Sequence, residues 1–535
     1  MCTNVAHARQ RLTMQRMSNK RVDITPYVSS TTEDVFALHG LPEEVIAVLF
    51  AYYSRSPNDL RTNLAALLTD DELAIGSGAI QRLAVASDKA RAFHEKWVVG
   101  YGHSSVSEGA VVHLALENVS IIASKIIEDA SLASFTEKST RYVVFSRDTF
   151  VVPPELPASV RDEYVATCSH LFDAYLALVP RVIGQLRVQQ PRPNNVSEKA
   201  HESMLRATAL DMCRGLLPAS TKTNIGLTAN ARELAHLIRK MAASRLFEAR
   251  QLAEAMTIAG RTVAPTLLKY ADPSPTHTML PDVMREAFMP LVANFSSKTL
   301  TYDARGNSAK IVDQNEANVW AIAHALAHQY AGIESPMLDL DESVVWINHD
   351  ENNGDATITA TEICRRALAA RGPHEGAPRA FEAATYQVEL VLDYGAYRDL
   401  QRHRMLSPFT RELSPVLGYT VPPELAALDV ALAGQYDNAL RTARDTWLHI
   451  MDAMHGDKNA RQVAQYVLPL AYRVRVLWHV SLRELIHVIE LRSGRGGHAS
   501  YRALAHSLYH QLVAREPWLE GLIRVDLHDY QLSRT

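Results

Sequence analysis

The chain has 535 residues, of which 47% are hydrophobic and 21% charged, so it is not disordered, collagen-like or a coiled coil. Its 55 Lys and Arg against 59 Asp and Glu leave a formal charge of −4, which offers no global attraction to nucleic acid or an anionic membrane. The cysteines, Cys2, Cys168, Cys213 and Cys364, are scattered without a CxxC pair; this excludes a disulfide scaffold and a cysteine-rich zinc site and fits a reducing compartment.

In chain order, residues 1–22 carry Arg9, Arg11, Arg16, Lys20 and Arg21 with no acid and no apolar core, and read as a polar mobile tail instead of a secretory signal. No later run approaches the ~20 apolar residues of a membrane helix, so a cytoplasmic chain is expected. Gly102-His103 leads into Ser104–Glu108, a turn opening a helix expected over about 107–129. The polar loop Ser134–Tyr142 follows, then short β-branched and aromatic runs at Tyr142–Phe145 and Thr149–Val152 that predict strands. Leu234, Leu237, Ile238 and Met241 repeat at helical spacing. Asp272-Pro-Ser-Pro-Thr reads as a linker, Ser343–Asn348 as a strand and Asn348–Gly354 as an exposed loop. A second helix is expected from about Arg379 to Arg404, and a third carries Leu482, Leu485, Ile486 and Ile489. The fold class expected is α+β, with long helices and a small, mostly antiparallel sheet in each half.

Three pairs of segments echo each other in the same order. Arg232-Glu-Leu-Ala-His236 matches Arg483-Glu-Leu-Ile-His487, and each Arg lies fourteen residues after the proline of a Leu-Pro pair, Leu217-Pro218 or Leu468-Pro469. Val152-Pro-Pro-Glu-Leu156 matches Val421-Pro-Pro-Glu-Leu425, and Glu108 before Ser134 matches Glu382 before Ser407. A period of about half the chain means a duplicated domain, not a solenoid. The expected division is a tail to 22, a first domain over 23–272, a linker over 273–297 and a second domain over 298–535.

Arg402-His403-Arg404, followed by Ser407 and Thr410, suits a phosphate or an electron-rich ring; alone it reads more simply as a solvated helix C-terminus. Glu137, Ser139 and Arg141 in one short loop have the donors to grip a phosphate, or form a plain polar loop. There is no HExxH, GxSxG, Walker loop or GxGxxG, and no cysteine nucleophile or metal site is indicated.

Together these segments resemble the flavin-dependent thymidylate synthase (ThyX) family, whose motifs occur here twice over. The resemblance implies homotetramer-like active sites built where domains meet, FAD as cofactor, and NADPH and methylene-tetrahydrofolate as co-substrates. It implies FAD binding by Arg402, His403, Arg404, Asn230, Arg232, Arg483, His487 and Glu137. It implies nucleotide binding by Ser139, Arg141, Arg214 and Arg492, with Arg402 and Arg492 catalytic through charge stabilisation on the base.

The two halves depart from the family in complementary ways. The first keeps Glu137, Ser139, Arg141, Tyr142, Arg214, Asn230 and Arg232, but has Glu128-Asp129-Ala130-Ser131 in place of Arg-His-Arg and Met241 in place of the closing Arg. The second keeps Arg402–Arg404, twenty residues after Glu382, with Arg483 and Leu491-Arg492. Its loop Ser407–Tyr419 is two residues longer and lacks the Arg before Tyr; Gln465 replaces the phosphate-binding Arg, Ser481 replaces Asn, and His487 stands where many members have Asn. The pattern implies specialised halves in a homodimer of tandem chains with two active sites instead of four. The simplest function is dUMP to dTMP. Alternatives are another pyrimidine nucleotide or hydroxymethyl transfer, and a non-catalytic tandem that binds flavin or nucleotide.

Overall fold

The computed structural model describes residues 22–52, 58–69, 79–96, 104–269, 271, 278–279, 282–284, 306–314, 318–330, 346–348 and 356–528. The N-terminal tail, Gly102-His103 and nearly all of the expected linker lie outside these residues.

Thr385–Asp393 alternates buried Tyr386, Val388 and Leu390 with Gln387 and Glu389, a period of two that makes a strand. This corrects the long helix expected over 379–404. Strand β7 (Thr385–Asp393) runs into a short helix, Tyr394–Leu400, that starts where Asp393 Oδ1 accepts from Ala396 N at 2.7 Å. The helix expected over 107–129 is corrected in the same way. It is strand β1 (Val111–Ser120) followed by helix Ile121–Glu128, capped by Ser120 Oγ accepting from Ala123 N at 3.0 Å. β1 is one residue longer than β7, and within it Asn118 has left-handed backbone at φ 58°.

Numbered in chain order, the helices are α1 (Glu43–Tyr52), α2 (Leu60–Leu68), α3 (Ala79–His94), α4 (Ile121–Glu128), α5 (Ala158–Gln189), α6 (Glu198–Cys213), α7 (Ala231–Ala242), α8 (Phe247–Arg261), α9 (Asn318–Tyr330), α10 (Ala360–Ala369), α11 (Tyr394–Leu400), α12 (Pro423–Leu428), α13 (Val430–Ala453), α14 (Ala460–Ala464), α15 (Leu482–Ser493) and α16 (Ala499–Arg515). The remaining strands are β2 (Ser134–Glu137), β3 (Lys222–Asn230), β4 (Ser308–Gln314), β5 (Trp346–Asn348), β6 (Ala356–Ile358), β8 (Leu406–Thr410) and β9 (Arg473–Ser481). The sheets run β1-β3-β2, β4-β7-β9-β8 and β5-β6; the second is antiparallel throughout. The fold is α+β, as expected. The helices expected around Leu234 and Leu482 are α7 and α15. Tyr142–Phe145 leaves a turn as irregular chain instead of a strand, Thr149–Val152 contributes only the isolated bridge Phe150–Thr221, and the strand expected at Ser343–Asn348 is β5 in its described part. Among the described residues, no helix is long and apolar enough to cross a membrane.

The described residues form two compact units. One comprises those of Met1–Leu116, Leu132–Thr136 and Ile225–Phe288; the other comprises those of Glu117–Ser131, Glu137–Asn224 and Met289–Thr535. In the first, α1–α3 pack Val45, Val48, Leu49, Leu60, Leu64 and Leu68 into a core with Tyr27 and Val28. Buried Glu44 accepts from Thr266 N at 2.7 Å and Leu267 N at 3.1 Å, and burial raises its carboxyl pKa despite these bonds.

The second unit carries the duplication in its backbone. Ile121 N donates to Thr221 O at 3.1 Å, and its counterpart Tyr394 N to Tyr472 O at 2.9 Å. Val151 N to Ser220 O and Thr420 N to Ala471 O repeat the same pairing, both at 2.9 Å. The two Leu-Pro pairs face each other antiparallel: Ala219 N donates to Leu468 O and Leu470 N to Leu217 O, both at 2.9 Å, around the bridge Pro218–Pro469. Gly215 makes the close approach possible, since a Cβ there would collide with the Tyr436 hydroxyl. Across the unit, the α5 hydroxyl of Thr167 meets Thr446 of α13 at 2.8 Å.

Candidate functional site

The second unit gathers most of the charged residues expected to act. Asp399, in the last turn of α11, is the hub. Arg214, its side chain only 4% exposed, donates Nη1 and Nη2 to Asp399 Oδ2 at 3.2 and 3.3 Å. Burial alone would raise the Asp399 carboxyl; Arg214 and Arg141 outweigh it and hold it below the usual carboxylate range. Arg492, at the end of α15, donates Nη2 to the Asp399 carbonyl at 2.7 Å and Nε to His403 Nε2 at 2.9 Å.

That last bond fixes the His403 tautomer. Nε2 accepts, so the proton sits on Nδ1 and is donated to Glu484 Oε1 at 2.9 Å. Burial lowers the ring's pKa; Glu484 opposes this and Arg492 adds to it, so the imidazole is neutral. His487 stacks edge-on against it, with ring centroids 5.5 Å apart.

Arg141 uses four of its five N–H groups. Its Nε and Nη2 form a fork to Asp211 Oδ1 and Oδ2 at 2.9 and 3.2 Å, Nη1 reaches the Tyr501 hydroxyl at 2.9 Å, and Nη2 the Gly496 carbonyl at 3.4 Å. Arg141 and Arg492 both lie over the Tyr501 ring, 5.8 and 5.4 Å from its centroid. Ser139 Oγ accepts from Arg141 N at 3.2 Å and shapes the loop. His498 caps α16 by accepting from Ser500 N at 3.1 Å, which leaves its Nε2–H for the Asp211 carbonyl at 3.4 Å; burial and then Arg214 lower its pKa.

A second charged cluster joins the same loop to Arg402. The Glu137 side chain is 2% exposed; it pairs with buried Arg398 and lies 3.8 Å from Arg402 Nη2. Neighbouring Glu128 is buried with neither carboxylate oxygen hydrogen-bonded, and burial followed by repulsion from Glu137 pushes its pKa up to about 7. Gln401 Nε2 crosses to Lys125 O at 2.8 Å and Asp129 Oδ1 at 2.6 Å. The acidic segment that replaces Arg-His-Arg in the first half is therefore occupied by side chains of the second half.

The other expected residues have local partners. Asn230 caps α7 by accepting from Glu233 N at 2.9 Å, and Arg232 pairs with Glu108; both belong to the first unit. Arg483 makes the equivalent pair with Glu382 at 2.7 Å and donates to Ala377 O at 2.9 Å. Gln465, in the Arg214 position of the second half, accepts from Leu413 N at 3.3 Å, so the lengthened loop packs onto it. Arg402 keeps 48% of its side chain exposed, and Arg404 and His487 are exposed. These cations and imidazole suit the diphosphate of a dinucleotide cofactor.

His403, Glu484 and His487 bring their donor atoms within 4.8 Å of one another, as a metal site would. The chemistry does not suit a cation. A metal on His403 Nδ1 would require the proton on Nε2, facing the Arg492 N–H that now donates there, and would set a guanidinium beside the ion. Among the described residues, Cys168, Cys213 and Cys364 are buried and burial pushes each thiol up to about 12, which removes them as nucleophiles.

Asp399, Asp211, Tyr501, Arg398 and Glu484 were not singled out from the sequence. Glu484 had a signal, since it lies inside the repeated Arg-Glu-Leu motif, one helical turn before His487. Asp399 and Tyr501 had none, because their meaning lies in contacts to Arg214 and Arg141 far away in the chain.

A duplicated α+β scaffold carries arginines from both halves in one network, and such guanidinium groups suit an anionic ligand. Comparison with known proteins narrows this. The model of the family described as thymidylate synthase complementing protein matches residues 49–266 and 311–518, and the chain belongs to that family. It is 31% identical over 523 residues to a UPF0159 protein of Chlamydia pneumoniae, covering 96% of this chain and 95% of the relative. It is 28% identical over 478 residues to a UPF0159 protein of Thermoplasma acidophilum, covering 83% and 90% respectively. It is 30% identical over 204 residues to the flavin-dependent thymidylate synthase of Geobacter sulfurreducens, covering 37% of this chain and 76% of that protein.

Proposed function

We propose that the protein is an FAD-dependent enzyme transferring one carbon to C5 of a pyrimidine nucleotide, most simply dUMP to dTMP with methylene-tetrahydrofolate and NADPH. The observation that carries this reading is the convergence of Arg141 and Arg214 from one half with His403 and Arg492 from the other around Asp399 and Tyr501. Family membership and the similarity to flavin-dependent thymidylate synthases support it.

Arg402, His403, Arg404 and His487 would hold FAD, with Arg483 as a further contact and Glu137 acting through Arg402. When bound, FAD passes reducing equivalents from NADPH to the one-carbon unit. Arg492 would stabilise negative charge growing on the uracil carbonyls, with the Asp399 carbonyl and His403 fixing its guanidinium in advance. Arg402 would add charge to the same end. Ser139, Arg141 and Arg214 would hold the nucleotide's phosphate, a binding role that moves KM more than kcat.

One such site per chain follows, in a homodimer of tandem chains. The test is reconstitution with FAD and titration with dUMP, followed by visible absorbance. About one flavin per chain, with a spectrum that shifts on adding dUMP, is expected; two per chain would end the specialisation of the halves. Bound flavin indifferent to dUMP would point to another pyrimidine acceptor, and no flavin to a non-catalytic tandem.

A further inference from the structure

The two arginines expected to grip phosphate are each already paired with a carboxylate of the second unit. Arg141 forks onto Asp211 and makes two further bonds, to Tyr501 and Gly496. Arg214 gives both terminal nitrogens to one oxygen of Asp399. The arginine side chains are 13% and 4% exposed, and their partners Asp211 and Asp399 are 14% and 19% exposed, so water screens the charges little. Two positive charges stand against two negative ones, and the quartet is neutral. His498, which also faces Arg214 and Asp211, adds no charge, because burial and Arg214 keep it neutral.

We propose that Asp399 is a specificity-determining residue that competes with the acceptor's phosphate for Arg214, so that the site does not prefer a dianionic phosphomonoester over a monoanionic phosphodiester. This rests on the acceptor being a pyrimidine nucleotide bound at Arg141 and Arg214. A phosphate that approaches Arg214 meets the Asp399 carboxylate beside it. Each added negative charge on the ligand then gains from the arginine and loses to the aspartate. Arg214 and Arg141 hold Asp399 ionised, so the competition operates at neutral pH.

The experiment is calorimetric titration of the FAD-loaded full chain with three ligands that share one base: 2′-deoxyuridine, dUMP and the dUMP monomethyl ester. In the natural protein the ester is expected to bind within about threefold of dUMP, because the second phosphate charge meets a neutral quartet. Asp399→Asn is expected to tighten dUMP by about tenfold or more while leaving deoxyuridine within about threefold. If dUMP binds the natural protein about tenfold or more tightly than its ester, the proposal is overturned, and that comparison stands even where D399N fails to fold. If none of the three binds although FAD does, the acceptor reading falls and this inference falls with it. Binding of dUMP with the wrong charge ranking overturns the inference alone.

Discussion

After Leu217-Pro218 and after Leu468-Pro469 the backbone does the same things: it pairs with the start of a short helix, extends into a strand, and turns into a second helix capped by Asn230 or Ser481. The side chains at corresponding points have gone separate ways. Arg214 meets Asp399, whereas Gln465 meets a loop amide. Arg492 reaches His403, whereas Met241 is buried as a plain apolar residue. Hydrogen bonds between main-chain groups do not depend on side-chain identity, so a duplicated frame survives while its charges are redistributed.

Making one half copy the other tests that account. Arg214→Gln, which imitates Gln465, leaves Asp399 without its main counterion. Denaturant unfolding is expected to show a loss of about 3 kcal/mol or more, together with lost nucleotide binding. Arg492→Met, which imitates Met241, should cut turnover by about 10²-fold with flavin still bound. The His403 pKa should rise at the same time in a titration followed by NMR, because one of its depressing charges is gone while burial remains. Gly215→Ala forces a methyl group toward the Tyr436 hydroxyl and should cost about 1–3 kcal/mol by thermal unfolding.

Glu128→Gln probes the interior acid that replaced a cation. Its folded pKa, about 7, lies above the ordinary carboxyl value, so the folded state holds a proton that the unfolded chain gives up. That contribution is fully present below the unfolded pKa and lost as pH rises through about 7. The glutamine variant should therefore be more stable than the natural protein at pH 8, by about 2 kcal/mol, with a flatter profile between about pH 4.5 and 7. An unchanged profile would remove Glu128 from the account. The smallest effect belongs to the exposed pair Arg232–Glu108: Arg232→Ala should change stability by less than about 1 kcal/mol.

The duplication was legible from three short echoes, because each marks a place where backbone geometry demands particular residues: a proline at the crossing, a capped helix start, an Arg opposite a Glu. The residues Arg141, Arg214, His403 and Arg492 were legible as motif members, and the structure sets them in one network. The strands β1 and β7 were misread because Leu, Ala and Val in them also satisfy a helical period, and only burial separates the two patterns. Asp399, Asp211 and Tyr501 were invisible because their partners lie 185, 70 and 360 residues away. Glu128 was legible as an acid standing in the place of a cation, but its burial beside Glu137 and Arg398 was not, and Arg398 carried no motif at all.

The antiparallel meeting of Pro218 and Pro469 has a consequence for how the protein behaves at low abundance. Two separate chains held by such a contact would part as they were diluted. Here 250 intervening residues tether the two strands, so the contact experiences a fixed effective concentration set by the chain itself. Sites assembled across that junction should keep their composition at any cellular copy number.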